Sequence, residues 1–254
     1  MSLAVLSLVA VVCGIGCHNA HRTELTISVA ASLTGTIEQV EALYSQSHPN
    51  VSFRNNFGSS GALAQQIQQG APADLLLSAG VKPVEQLAAK GLLVNGQTRN
   101  LLRNTLVLVV PANSTRPSPH APEQLVDAAV SRIAVGDPSS VPAGLYAQQA
   151  LLALHLEQAV KSKLVYTKDV RQVLAYVENG DVQAGFVYLT DAMTSSKVRI
   201  ACKIDDALHA PIVYPLAIVA RSQHEAEDED FKRFLFSSQA QAVFAKRGFV
   251  QAAN

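Results

Sequence analysis

Apolar and polar positions along this chain switch repeatedly between a strand-like and a helical period. Leu25-Thr26-Ile27-Ser28-Val29-Ala30 reads as a strand, and Leu33 to Ser45 carries helical apolar spacing at Leu33, Ile37, Val40 and Leu43-Tyr44. A second strand begins at Val51-Ser52-Phe53 and ends near Phe57, followed by a helix over Ala62–Gln69 that Gly70 stops. Asp74–Ser78 predicts a third strand, Pro83–Lys90 a third helix closed by Gly91, and Leu106–Val110 a strand cut by Pro111. Pro111 to Pro122 holds four prolines among Ser, Thr, Asn and His, which marks a loop into a second region. There the grammar repeats: strands at Ile133–Val135, Leu164–Tyr166 and Ala184–Tyr188, with helices at Ala143–Leu154 and Val170–Glu178. A long apolar strand over Val213–Ala220 and one amphipathic helix over Phe231–Ala245 close the pattern. Strand–helix alternation of this kind predicts an α/β protein of two lobes, each a mainly parallel sheet flanked by helices, with a ligand cleft between them. The first lobe is expected over residues 24–103 and 214–254, the second over 104–213. Strands Leu106–Val110 and Val213–Ala220 are expected to cross between the lobes as a hinge.

The N-terminus departs from this pattern. Met1 to Ala20 contains no Asp, Glu, Lys or Arg, and Leu3 to Ile15 is almost wholly apolar. That run is short for a bilayer span, which needs about 20 residues, but it suits the apolar region of a secretory signal. Gly14-Ile15-Gly16-Cys17 resembles a bacterial lipobox, so residues 1–17 are read as a signal segment and Cys17 as a site of lipid attachment. The protein is then expected in the periplasm or at the cell surface. With the signal removed, Cys202 is the only other cysteine, so no internal disulfide can form.

Charge narrows the function classes. Twenty Lys+Arg cancel twenty Asp+Glu, which leaves no basic surplus for nucleic acid, and 48% hydrophobic residues exclude a disordered chain. No H-x-x-x-H or C-x-x-C spacing suggests a metal site after the signal.

Candidate chemistry lies just after the predicted strands. Ala31-Ser32-Leu33-Thr34, Gly58-Ser59-Ser60-Gly61 and Asp137-Pro138-Ser139-Ser140-Val141-Pro142-Ala143-Gly144 each open a helix. Free N–H groups at a helix start, the positive end of its dipole and a nearby hydroxyl make an anion site that needs no Lys or Arg. Taken singly, Ser32, Ser59 and Ser60 read more readily as ordinary helix caps. Their repetition in both halves favours a shared site.

In order and spacing, Ala30-Ala31-Ser32-Leu33-Thr34, Phe57-Gly58-Ser59-Ser60-Gly61, Gln69-Gly70-Ala71-Pro72-Ala73-Asp74, Val135-Gly136-Asp137-Pro138 with Val141-Pro142-Ala143-Gly144, Asp169-Val170-Arg171 and Gly185-Phe186-Val187-Tyr188 resemble the molybdate-binding proteins of ABC importers, the ModA family. The resemblance runs from about Leu25 to Phe249. It implies the type II periplasmic-binding-protein fold, with the oxyanion held by Ser32 and Ser60 from the first lobe. Backbone N–H groups of Ala143 and Val170 and the hydroxyl of Tyr188 would complete the set from the second. Gly58 and Gly61 stand where some relatives have Ala and Ser, so Ser59 remains an alternative to Ser60. The resemblance also implies molybdate or tungstate as ligand, molybdenum being held only as the oxyanion, no cofactor, and a membrane permease with its cytoplasmic ATPase as partner. A monomer is expected.

A site made only of donors favours a fully deprotonated tetrahedral dianion, because a protonated anion needs an acceptor for its O–H. Molybdate, tungstate and sulfate all qualify, and size must choose among them. Among charged neighbours, Asp74 is read as tying down a loop, Asp137 and Asp169 as fixing loop geometry. Arg171 reads either as offsetting charge around the cleft or as part of a solvated helix face. The acidic run Glu225–Asp230 is expected as a solvated cap just ahead of the last helix. Two other functions are weighed: a sulfate- or other solute-binding protein on the same architecture, and a secreted serine hydrolase. No G-x-S-x-G elbow supports the latter, and no motif sets a histidine beside a serine.

Overall fold

The computed structural model describes residues 22–95, 98–115 and 117–253, so the signal segment and Cys17 lie outside the described residues. Along the chain run β1 (Thr23–Ala30), α1 (Thr36–Ser47), β2 (Val51–Gly58), α2 (Ser60–Gln68), β3 (Leu75–Leu77), α3 (Val81–Ala88) and β4 (Arg99–Arg103). There follow β5 (Leu106–Pro111), β6 (Ile133–Gly136), α4 (Pro142–Ala153), α5 (Glu157–Val160), β7 (Leu164–Thr167), α6 (Val170–Glu178), β8 (Ala184–Tyr188), α7 (Leu189–Ala192) and β9 (Val198–Lys203). The chain ends with β10 (Val213–Ile218), α8 (Glu225–Leu235), α9 (Ser238–Lys246) and β11 (Val250–Gln251). A 3-10 turn over Ala31–Leu33 follows β1 directly.

The strands form two sheets, ordered β11-β4-β10-β3-β1-β2 and β7-β6-β8-β5-β9. Each is mixed. β1, β2 and β3 pair in parallel, as do β6, β7 and β8, whereas β10, β4 and β11 in the first sheet and β5 and β9 in the second add antiparallel pairs. The expected parallel pairing thus describes only the half of each sheet built from strand–helix–strand units; the strands nearest the passages between sheets reverse direction. β3, with Leu75, Leu76 and Leu77 all buried, is the continuous apolar run of a strand covered on both faces. In α6 the buried Val170, Val173, Leu174 and Val177 make one apolar stripe, and the Asp169 side chain caps the helix by accepting from Gln172 N–H at 2.9 Å.

Strands β5 and β10 do not cross between sheets, as their apolar length suggested; each lies within one. The chain passes between sheets at Asn104–Thr105 and again over 204–212. The two passages run side by side, with Asn104 N–H donating to the Ile212 carbonyl at 3.2 Å and Ile204 N–H to that of Leu106 at 2.9 Å. The expected single C-terminal helix is two, because Ser237 ends one segment and caps the next through Ala240 N–H. The acidic run lies inside α8, in its first two turns, instead of ahead of it. β4, with two buried residues between charged ends, and β9, with none buried, were not anticipated.

Candidate functional site

Parallel strands in an open α/β sheet deliver their carboxyl ends to one edge, and the helices that follow start there. Here the ends of β1, β2 and β3 meet those of β6, β7 and β8. Between them lies a small cavity. Ser32, Ser60, Ala143, Val170 and Tyr188, the residues singled out from sequence, all line it. Ala30, Ala31, Gly58, Ser59, Ala79, Val141 and Pro142 complete the wall, and none of these residues is charged.

Each polar group in the wall has a defined orientation. Ser60 opens α2, is 1% exposed, and accepts the Ala79 N–H on its Oγ at 2.8 Å. Its own hydrogen is left to donate. Ser32 Oγ lies 2.8 Å from Tyr214 Oη in the buried turn after β1. Tyr188 reaches across from the second sheet, and its hydroxyl donates to the Ala79 carbonyl at 3.3 Å. Burial pushes both the Tyr188 and Tyr214 phenols well above their ordinary range, so both stay protonated and remain donors. Ala143 and Val170 sit in the first turns of α4 and α6. First-turn N–H groups have no carbonyl four residues back within their helix, so these two amides are available at the positive ends of two dipoles. Ser59 Oγ is buried against the same cavity with no hydrogen-bond partner among the described residues.

The surrounding charges are fixed elsewhere. Asp74 accepts from Thr26 N–H at 2.7 Å and from Ser222 Oγ at 2.8 Å, and so ties a loop to the end of β10. Asp137 binds Ser139 through both N–H and Oγ. Arg171, one residue beyond Val170, donates to Thr194 Oγ1 at 2.9 Å and to the Thr34 carbonyl at 3.5 Å, and lies 3.7 Å from Asp191 Oδ1. It joins the turn after Ser32 to the second sheet and is more than a solvated face. Asp191 is fully buried, and desolvation raises its carboxyl to about 7 even though Arg171 pulls it down.

Two contributors escaped the sequence reading. Ala79 serves both Ser60 and Tyr188, and the same strand-end rule applied to β3 would have pointed to it. Tyr214 had no local signal, because its partner Ser32 is 182 residues away.

The structure also places a histidine beside a serine. His48 Nδ1 lies 3.0 Å from Ser47 Oγ, and Nε2 lies 3.1 Å from Asp230 Oδ2. Yet Nδ1 also faces the Tyr44 carbonyl at 3.0 Å, an acceptor that requires a proton on that nitrogen. A protonated Nδ1 cannot take the serine's proton, so this is a helix C-terminus held in place, not a nucleophile and its base.

The sequence profile of the bacterial extracellular solute-binding proteins matches residues 25–250. Molybdate-binding protein ModA from Haemophilus influenzae is 37% identical over 249 residues, covering 97% of this chain and 98% of that protein. The chain belongs to the ModA family. It is therefore a solute-binding protein and not an enzyme. YvgL from Bacillus subtilis, which carries the name of an ABC transporter substrate-binding lipoprotein, is 44% identical over 228 residues, 90% of this chain and 86% of that protein. The periplasmic molybdate-binding protein of Azotobacter vinelandii superposes with a TM-score of 0.81 at 24% identity, covering 90% of this chain and 100% of that one. That likeness establishes the two-lobed periplasmic-binding-protein fold, with its cleft between the lobes.

Proposed function

We propose that this protein captures molybdate, and tungstate with it, and delivers the anion to the membrane permease of an ABC importer driven by a cytoplasmic ATPase. The observation that carries this reading is the wall of the cavity: hydroxyls and helix-start amides from both lobes converge with no charged side chain and no base among its lining residues. The first lobe, residues 24–103 and 214–254, supplies Ser32 and Ser60; the second, 104–213, supplies Ala143 N–H, Val170 N–H and the Tyr188 hydroxyl, whose one hydrogen turns from the Ala79 carbonyl to the anion. Neutral donors spread a dianion's charge over many hydrogen bonds, each worth about 1.5–3 kcal/mol net to an ionised acceptor. A ligand held from both sides rewards only the closed arrangement, and closure is what a permease would sense. The names of the H. influenzae and A. vinelandii relatives support molybdate as the solute.

The protein works as a monomer in the periplasm or at the cell surface, with residues 1–17 acting as a signal and Cys17 as the lipid anchor. The lipoprotein name of YvgL supports that placement. Isothermal titration of the protein, purified free of anions, with molybdate, tungstate, sulfate and phosphate tests the function. Tight one-to-one binding of molybdate and tungstate alone is expected. Preference for sulfate would change the solute and keep the cleft, and no binding to any of the four would overturn the reading.

A further inference from the structure

The Ser32 hydroxyl can in principle either give or take a hydrogen bond, and the residues behind it decide which. Asn104, in the first passage between the sheets, accepts the Thr105 N–H on Oδ1 at 2.9 Å. That bond settles the orientation of its amide. Its Nδ2 must then donate, and it does so to Thr190 Oγ1 at 2.8 Å and to Tyr214 Oη at 3.1 Å. Tyr214 is 1% exposed, and the partners of its hydroxyl among the described residues are the Asn104 amide, which can only donate, and Ser32 Oγ at 2.8 Å. The single phenolic hydrogen therefore goes to Ser32 Oγ. Ser32 spends one of its two lone pairs on Tyr214, so its own hydrogen is not committed to the tyrosine and is left for the cavity.

We infer that Tyr214 is a positioning residue which pins Ser32 Oγ with its hydrogen free to donate to the anion. The inference deepens the oxyanion reading and rests on it. The relay runs one way, from Asn104 to Tyr214 to Ser32 to the anion, and its first member bridges both lobes through Thr190 and Tyr214. Without the Tyr214 hydroxyl, nothing pins Ser32 Oγ, and its hydrogen is free to turn away from the anion.

The test is titration of the full-length protein and of Tyr214→Phe, Ser32→Ala and the double variant with molybdate at neutral pH. Tyr214→Phe is expected to weaken molybdate binding by about tenfold. In the Ser32→Ala background it is expected to change nothing further, which a merely structural tyrosine would not satisfy. Should Tyr214→Phe fail to fold, Asn104→Ala carries the test, with a loss of affinity that likewise vanishes in the Ser32→Ala background. Unchanged affinity in Tyr214→Phe, or an equal loss with and without Ser32, overturns this inference alone. Absence of binding of molybdate, tungstate, sulfate and phosphate by the unaltered protein overturns the oxyanion reading and this inference with it.

Discussion

The Gly61 N–H donates to the Ser140 carbonyl across the cleft at 2.9 Å, joining the first turn of α2 to the loop ahead of α4. A Cβ built on Gly61 would stand 2.6 Å from that carbonyl oxygen and 2.8 Å from Ser140 Cα, both backbone atoms that cannot swing aside. This close approach thus depends on the absence of a side chain at a helical position where alanine would otherwise be favoured by about 1 kcal/mol. Gly61→Ala is expected to leave thermal stability of the ligand-free protein unchanged or slightly raised while weakening anion binding by tenfold or more, roughly. Titration beside a melting curve separates the two effects; unaltered affinity would show that the lobes tolerate wider spacing.

Ser60→Ala and Tyr188→Phe probe the two faces of the cavity. Ser60→Ala removes a donor and also strands the Ala79 N–H, so a loss of about 1–3 kcal/mol in stability should accompany weaker binding. Tyr188→Phe gives up a long 3.3 Å bond to the Ala79 carbonyl and should weaken binding with little effect on stability. Chemical denaturation and anion titration of both variants check the contrast, which fails if both lose stability equally.

Buried acids set the pH dependence of stability. Desolvation raises Asp191 to about 7, Glu41 to about 7 and Asp228 to about 6, all above their values in an unfolded chain. The folded state then binds protons more tightly than the unfolded state, so the stabilisation is complete below about pH 4 and is lost as pH rises toward 7. Stability from these groups should fall between about pH 4 and pH 7, and Asp191→Asn should flatten that slope. Melting temperatures across this range, compared between the two proteins, decide it.

Arg171 supplies the opposing charge 3.7 Å from Asp191. Arg171→Met should raise the Asp191 carboxyl further and destabilise the protein more at pH 8 than at pH 5, since an ionised buried carboxylate without its partner is costly. It should also loosen the cleft, because the bond to the Thr34 carbonyl is lost. Equal destabilisation at both pH values would assign Arg171 a packing role only.

Cys17→Ser tests the anchor. If acylation holds the protein to a membrane, the variant should move from the membrane to the soluble fraction with its anion affinity intact. Continued membrane attachment would remove Cys17 from the account.

Local apolar runs carried most of the fold. Leu75-Leu76-Leu77, Ala184–Tyr188 and the 3-4 spacing of α6 each name their element because burial on a known face leaves a periodic trace. β4 left none: in Arg99–Arg103 only Leu101 and Leu102 are buried, and its place in the sheet comes from pairing with β10 more than a hundred residues on. The break between α8 and α9 likewise lacks Gly or Pro and rests on one capping bond from Ser237.

From sequence alone came the strand-then-helix-start motifs, and with them Ser32, Ser60, Ala143, Val170 and Tyr188, because free amides at a helix start follow from chain geometry and need no distant partner. Tertiary structure alone decided that these ends face one cavity, that Ala79 joins Ser60 to Tyr188, and that Asn104 and Tyr214 orient Ser32. The direction of a hydroxyl depends on which donors and acceptors surround it, and those are brought to Ser32 by strands far apart in the chain.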